Sequence, residues 1–207
     1  MEDVVDLGLP SGTLWCKYNL GCDFELLNNH YKDSIYKNWY GDYYAWGEII
    51  PNKYREGYGW NTYKWCKNTY DKLTKYCNDK HIGYNNYIDN LTELEPEDDA
   101  AYQNLHLYNF KFYMPTINQF KELVNYTNHK YVKNYKHISN LNGLLFTSKN
   151  KNTLFLPMSG FYYDTDCVQD KIVGDYLSLN LCTGDFRSIF NNGINDSASA
   201  YCFEFIK

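Results

Sequence analysis

The chain has 207 residues, with 20 Lys and Arg against 25 Asp and Glu, for a formal net charge of -5. Binding a phosphate backbone or an anionic membrane surface relies on a concentrated positive footprint, and no Lys/Arg stripe occurs here, so neither is expected as a partner. No apolar run approaches the roughly 18 residues of a membrane span, and Met1 to Gly8 has neither the basic nor the apolar part of a secretory signal. The expectation is a chain made without a signal peptide and left in the cytoplasm of its producer unless something else carries it out.

In chain order, Val4 to Cys16 reads as a short strand, a Pro10-Ser11-Gly12 turn and a second strand. Residues 23–40 are polar and aromatic without clean periodicity and read as a loop insertion. Gly41-Asp42-Tyr43-Tyr44-Ala45-Trp46-Gly47-Glu48 is a glycine-bracketed aromatic run. Residues 50–92 hold many Tyr, Asn and Lys with little alternation. A compact domain tolerates so long an irregular segment when its own aromatics pack it or when it is functional.

Two helix signals follow. Pro96 stands among Glu95, Glu97, Asp98 and Asp99, where a helix start favours both proline and acids. Thr116 with Gln119 forms a capping box, and Phe120, Leu123 and Val124 repeat at i, i+3, i+4, so one face is expected in the core. Asn125 to Asn128 is the stop. Leu144 to Ser148 and Thr153 to Pro157 then read as strands around the polar turn Lys149 to Asn152. Further strands are expected at 176–182 and 186–190, and Ala200 to Ile206 alternates as a half-buried strand does. The order gives an α+β class, one domain over 1–207, with two helices, short and mostly antiparallel strands, and long irregular loops at about 23–40 and 50–92. Because unpaired chain ends fray, the first and last strands are expected to lie in one sheet.

The 23 Tyr, 11 Phe and 5 Trp are accompanied by 25 Asn and by 18 Lys to 2 Arg. AT-rich codons supply such residues, while Tyr and Asn are also good contact residues. Seven Cys stand at 16, 22, 66, 77, 167, 182 and 202, an odd number without C-x-x-C spacing. Cys66, Cys77 and His81 are the set that a fold could gather around zinc, but reduced, buried thiols are the simpler expectation.

Five co-linear segments resemble one known group: Val5 to Trp15, Gly41 to Glu48, Leu94 to Ala101, Met114-Pro115-Thr116 with Phe120 to Leu123, and Leu154 to Pro157 before Gly160. They are similar to the major-paralogous-domain (FISUMP-type) proteins of Bacteroidetes and their phages. The resemblance spans nearly the whole chain and implies a C-type-lectin-like or formylglycine-generating-enzyme-like fold, which also brings the termini together. Where the family carries a Trp-rich segment before its Met-Pro-Thr, this chain has Leu107 to Tyr113. Where the family has a late Trp-Ser-Ser-Ser-like strand, Tyr176 to Asn180 stands here, and Gln119 replaces a frequent Glu.

No nucleophile elbow, phosphate loop or H-E-x-x-H occurs, and the cysteine pair of the related formylglycine-generating enzymes aligns with no Cys here, so the expected function is non-enzymatic. Asp98 and Asp99 are explained by the helix start. Asp164, Asp166, Asp170 and Asp175 are spaced too loosely for a calcium loop, so no metal or other cofactor is expected. Binding is the remaining class. The late loops usually present the ligand in lectin-like domains, which makes Tyr162, Tyr163, Asp164, Tyr176, Arg187, Phe190, Asn191 and Asn192 the candidate contact residues. The Tyr-rich 54–65 segment is the second choice. The resemblance implies a virion protein of a phage (head decoration, fibre or tail tip) that touches host glycan or protein, or neighbouring subunits. A bacterial cell-surface or secreted lectin-like adhesion module is the alternative, and a homo-oligomer fits either.

Overall fold

The capping box at Thr116 starts the longest helix. In the computed structural model, the Gln119 N–H donates to Thr116 Oγ1 at 3.2 Å and the Thr116 N–H returns a bond to Gln119 Oε1 at 2.8 Å. This satisfies two orphan donors and sets the start of α3, Ile117–Tyr126. The structure describes residues 3–51, 56–105 and 111–181, and the backbone of three later strands, 186–187, 194–195 and 200–206.

Strands β1 (Val4–Asp6) and β2 (Leu14–Cys16) form the N-terminal hairpin. Helix α1 (Phe24–Asn29) follows, capped by Asp23, whose carboxylate accepts the Leu26 N–H at 2.9 Å. Helix α2 (Ala100–Asn104) is capped by Asp99. After α3 come β3 (Asn128–Val132), β4 (Gly143–Thr147) and β5 (Thr153–Pro157), an antiparallel three-stranded sheet in the order β3-β4-β5. A small ribbon pairs β6 (Phe161–Tyr163) with β7 (Asp166–Val168). The long β8 (Val173–Leu181) pairs antiparallel with β11 (Ala200–Ile206), and β9 (Phe186–Arg187) pairs with β10 (Ile194–Asn195).

Side-chain alternation explains how the layers stack. Along β4 and β5, Leu144, Phe146, Leu154 and Leu156 face one cluster with Phe120 and Leu123 of α3 and Leu7, Leu9 and Trp15 of the N-terminal hairpin. The intervening Leu145 and Phe155 face the opposite cluster, with Leu27 of α1, Tyr18, Trp39 and Leu141. The period of two therefore buries both faces of this sheet. Strand β8 does the same. Leu177, Leu179 and Leu181 pack on Trp46, Tyr76 and Leu94, whereas Tyr176 packs against the α3 cluster.

The long irregular segment is held by its own apolar contacts. Cys66, Leu73 and Cys77 make a small cluster with Tyr63 and Ile82, and single bridges such as Cys66↔Leu73 and Leu73↔Gly83 take the place of regular strands there.

The α+β class, α3 and the β4–β5 hairpin stand where the sequence puts them, with three differences. Helix α1 and two 3-10 turns, Tyr31–Asp33 and Tyr36–Trp39, lie in the segment expected to be a loop. The expected stop after α3 leads directly into β3. The first and last strands do not share a sheet: β1 pairs with β2, and β11 pairs with β8. Each terminal strand finds its hydrogen bonds in another partner, so neither needs the other end of the chain. No described helix is long and apolar enough to cross a membrane.

Candidate functional site

Between the N-terminal hairpin, α2, the start of α3 and β8 lies a cavity of about 780 Å³. That is within the usual size of small-molecule sites. Each of the five motif segments contributes to its lining: Leu14 and Trp15, Asp42 to Trp46, Ala100 and Ala101, Met114 with Pro115 and Phe120, and Leu156 with Gly160. Tyr58 from the long insertion and Tyr162 and Tyr176 from the late strands complete it.

The aromatic walls are fixed by their own hydroxyls. Tyr43 Oη donates to the Ser159 carbonyl at 2.6 Å, and Tyr58 Oη donates to the Tyr43 carbonyl at 2.6 Å. Tyr162 lies against both rings, with centroids 4.8 Å from Tyr43 and 5.5 Å from Tyr58. Tyr176 Oη donates to the Pro157 carbonyl at 2.9 Å and accepts from Asn19 Nδ2 at 3.2 Å. Trp46 Nε1 donates to the Ser178 carbonyl at 2.8 Å. Burial pushes the phenols of Tyr43, Tyr44 and Tyr176 well above the ordinary tyrosine value. They are therefore neutral hydrogen-bonding groups at physiological pH and not bases. Trp15 packs on Phe120 with centroids 5.5 Å apart. The indole is only 7 % exposed, and among the described residues its buried Nε1 finds no acceptor.

Glycine geometry brings the motif segments this close. Gly41 has φ +71, and a Cβ there would stand 2.3 Å from the Leu20 carbonyl oxygen. Gly160 has φ +70, and its Cβ would meet the Val168 carbonyl oxygen at 2.2 Å. Any side chain at either position would push apart the chains that frame the cavity.

The candidate contact residues divide. Tyr163 is 75 % exposed and Asp164 is also exposed. Tyr162 is half-buried between Tyr43 and Tyr58, and the half-buried Tyr176 is anchored in the packed body. Asp164 serves the architecture through its backbone, which exchanges hydrogen bonds with Tyr58 at 2.8 and 3.2 Å and ties the insertion to the β6–β7 ribbon. The side chain of Arg187, and Phe190, Asn191 and Asn192 entirely, lie outside the described residues. In the second-choice segment, Trp60 is exposed and touches Tyr63 and Tyr70.

The other sequence candidates resolve into architecture. Asp99 is buried and accepts from the Ala101, Tyr102 and Met114 N–H groups, as a helix cap that also pins the chain entering α3. Cys66 and Cys77 share a cluster, but each Sγ points to a carbonyl, those of Trp60 at 2.8 Å and Asp79 at 3.1 Å, and His81 is exposed. Among the described residues no group of three or more His, Cys, Asp or Glu is placed to hold a metal ion.

Trp15, Asn19 and Tyr43 are not among the site residues read from the sequence, whereas Tyr58 falls within the second-choice 54–65 segment. Trp15 and Tyr43 belong to motif segments, which was the available signal, but spacing does not reveal that segments so far apart share one cavity. No family model, no curated protein and no solved structure matches the chain.

Proposed function

We propose that this chain is a non-enzymatic, lectin-like binding domain borne on the surface of a phage particle, where it contacts host glycan or protein, or neighbouring subunits. The observation that carries this reading is the meeting of all five motif segments on one preorganised aromatic cavity. Rings locked by hydroxyl-to-carbonyl bonds lose little freedom when a ligand settles on them, which suits recognition. Their phenols stay protonated, which suits hydrogen bonding better than proton abstraction. Exposed Tyr163, directly after Tyr162, adds a second contact of the kind that dominates interfaces.

The state of the cysteines favours a particle assembled in a reducing cytoplasm over an exported adhesion module. Cys16, Cys22, Cys66, Cys77 and Cys167 are all free thiols, whereas exported domains more often close such residues into disulfides. Immunogold labelling of purified particles and of cell envelopes from the producing culture tests the reading. Label on particles is the expected result. Label on envelopes alone would move the protein to the adhesion class, and label on neither would remove a surface role.

A further inference from the structure

We propose that the exposed rings of Trp60 and Tyr70, on the long insertion, form a stacking platform for the pyranose units of a glycan. This rests on the binding-domain reading and names a ligand class for a surface outside the cavity. Trp60 is 38 % exposed and Tyr70 is 59 % exposed. Their ring centroids lie 6.3 Å apart at an interplanar angle of 61°, and Tyr63 braces Trp60 edge-on at 5.8 Å. Single apolar side chains at a surface need no explanation, whereas two large rings in contact there call for one. Local hydrogen bonds fix the backbone that carries both rings. Trp60 rides on a turn in which the Thr62 and Tyr63 N–H groups donate to the Gly59 carbonyl, at 3.0 and 2.9 Å. Tyr70 stands at the tip of a loop over 67–72 that the Lys67 N–H closes onto the Lys72 carbonyl at 2.9 Å. The Cys66 thiol donates to the Trp60 carbonyl at 2.8 Å, and Cys66 pairs with Leu73 across the base of that loop. Turn and loop are tied together, so a ligand that stacks on these rings has little backbone to order.

The groups around the rings favour a sugar. Asn61, Asn68, Thr69 and Asp71 are all exposed beside them, so the two rings sit in a polar rim. A pyranose matches both features, with flat C–H patches for the ring faces and hydroxyls for the amides and the carboxylate. Thr69 Oγ1 donates to Asp71 Oδ1 at 2.6 Å. An ionised carboxylate has about four lone-pair sites, so this bond leaves Asp71 with capacity to accept from sugar hydroxyls. A protein partner would want a broader face, since a standard interface buries about 800 Å² on each side. Two partly exposed side chains amid polar groups supply only a fraction of that.

The test uses the full chain on a printed array of oligosaccharides. Calorimetric titration and saturation-transfer NMR follow with the oligosaccharide bound best. Trp60→Ala and Tyr70→Ala each remove one ring, and Tyr70→Phe keeps the ring without its hydroxyl. The expected result is a bound oligosaccharide whose ring C–H protons receive the saturation. Affinity should fall more than about tenfold in Trp60→Ala and in Tyr70→Ala, and change less than about threefold in Tyr70→Phe. Near-native melting temperatures would show that the variants fold, and Tyr70, the more exposed of the two, decides the matter if Trp60→Ala does not fold. If an oligosaccharide binds and Tyr70→Ala binds it equally well, the platform is wrong while the binding-domain reading stands. No oligosaccharide bound at all, or ring variants that lose only binding to a protein surface, also overturns the inference. Particle labelling decides the broader reading independently.

Discussion

Lys75 Nζ lies 2.6 Å from Asp98 Oδ2, and this pair ties the long insertion to the turn that precedes α2. Asp98 is only 2 % exposed and also receives Tyr76 Oη at 2.8 Å, with Lys64 Nζ at 3.4 Å. Glu95 makes a second contact to Lys75. The ammonium of Lys75 stands over the rings of Trp65 and Tyr76, at 4.9 and 5.0 Å from their centroids. A buried carboxylate without its cation is strongly unfavourable, so Lys75→Met is expected to destabilise by about 3–5 kcal/mol, as removing one partner of a buried pair does. Urea titration of the variant against the parent measures it.

The same cluster gives stability a pH dependence. Burial pushes the Asp98 carboxyl up, but the hydrogen bonds from Lys75 and Tyr76 and the charges of Lys75 and Lys64 outweigh it and hold it below its ordinary value. A carboxyl depressed in the folded state contributes stability that is present above its unfolded pKa and lost as pH falls through the folded one. For Lys75, burial pushes the ammonium down, and its bonds to Asp98 and Glu95 outweigh that and hold it up. Its contribution is present below the unfolded lysine value and lost as pH rises through the raised one. Both contributions are therefore whole at neutral pH, and the acid limb belongs to Asp98. Asp98→Asn should flatten the loss of melting temperature below the ordinary carboxylate range. An unchanged acid limb would place the titrating group elsewhere.

Helix α3 offers a clean contrast between core and cap. Leu123 is 0 % exposed and packs among Leu144, Phe146 and Leu154, so Leu123→Ala is expected to cost about 2–5 kcal/mol through the cavity it leaves. Thr116→Ala removes one cap and should cost about 1 kcal/mol. Chemical denaturation of both variants checks the ranking, and a Thr116 effect as large as that of Leu123 would contradict the packing described.

What the sequence revealed and what it hid follow from the range of each interaction. The Thr116–Gln119 box, the Phe120–Leu123 face and the β4–β5 alternation are local patterns, and all three appear in the structure. Helix α1 escaped notice because six residues are too few to display a period, although Asp23 and the buried Leu27 are its cap and core contact. The pairing of β11 with β8 was not legible either. Alternation shows that a strand is half-buried but does not show which strand it joins. Asp98 was explained by its helix start, yet its buried partners arrive from residues 64, 75 and 76 in a segment with no periodicity. The abundance of Asn acquires a structural use. Among the described residues, six of the thirteen non-glycine positions with positive φ are Asn, at 68, 85, 86, 90, 134 and 140. Asn tolerates that region better than most residues, so it turns the irregular loops without glycine.

Thiol chemistry should reflect burial. Burial pushes Cys16 up to about 12, helped by the charge of Asp3, and pushes Cys22 up to about 12 despite a backbone hydrogen bond from Asn19. The thiolate is the reactive form, so both should resist maleimide at pH 8 until denaturant is added. Cys167 is exposed and should label first among the described cysteines, though more slowly than a free thiol because burial of its sulfur raises it as well. Peptide-resolved mass spectrometry over time gives the order. With these thiols free, reducing agent is expected to leave the melting temperature unchanged. A fall of more than about 5 °C, roughly a kcal/mol or more, would reveal a disulfide in the working protein.

The last prediction separates two neighbouring tyrosines on one strand. In β6 successive side chains point to opposite faces, and the structure shows Tyr162 against Tyr43 and Tyr58 while Tyr163 is exposed. Tyr163→Ala removes a surface ring and should change stability by less than about 1 kcal/mol. Tyr162→Ala removes the ring that joins the insertion to the Tyr43 wall and should cost about 3 kcal/mol, near the low end for a large aromatic truncated in a packed site. The binding consequences differ in kind. If partner contacts run through the exposed Tyr163, Tyr163→Ala weakens binding to the partner surface at near-native stability. Tyr162→Phe keeps the ring, so the wall should survive that change, whereas Tyr162→Ala should loosen it because Tyr43 and Tyr58 no longer have that ring to rest on. Melting curves and a surface-binding assay on the three variants give independent readings. A Tyr163→Ala protein that unfolds would show that the two faces of β6 are not the separate surfaces described.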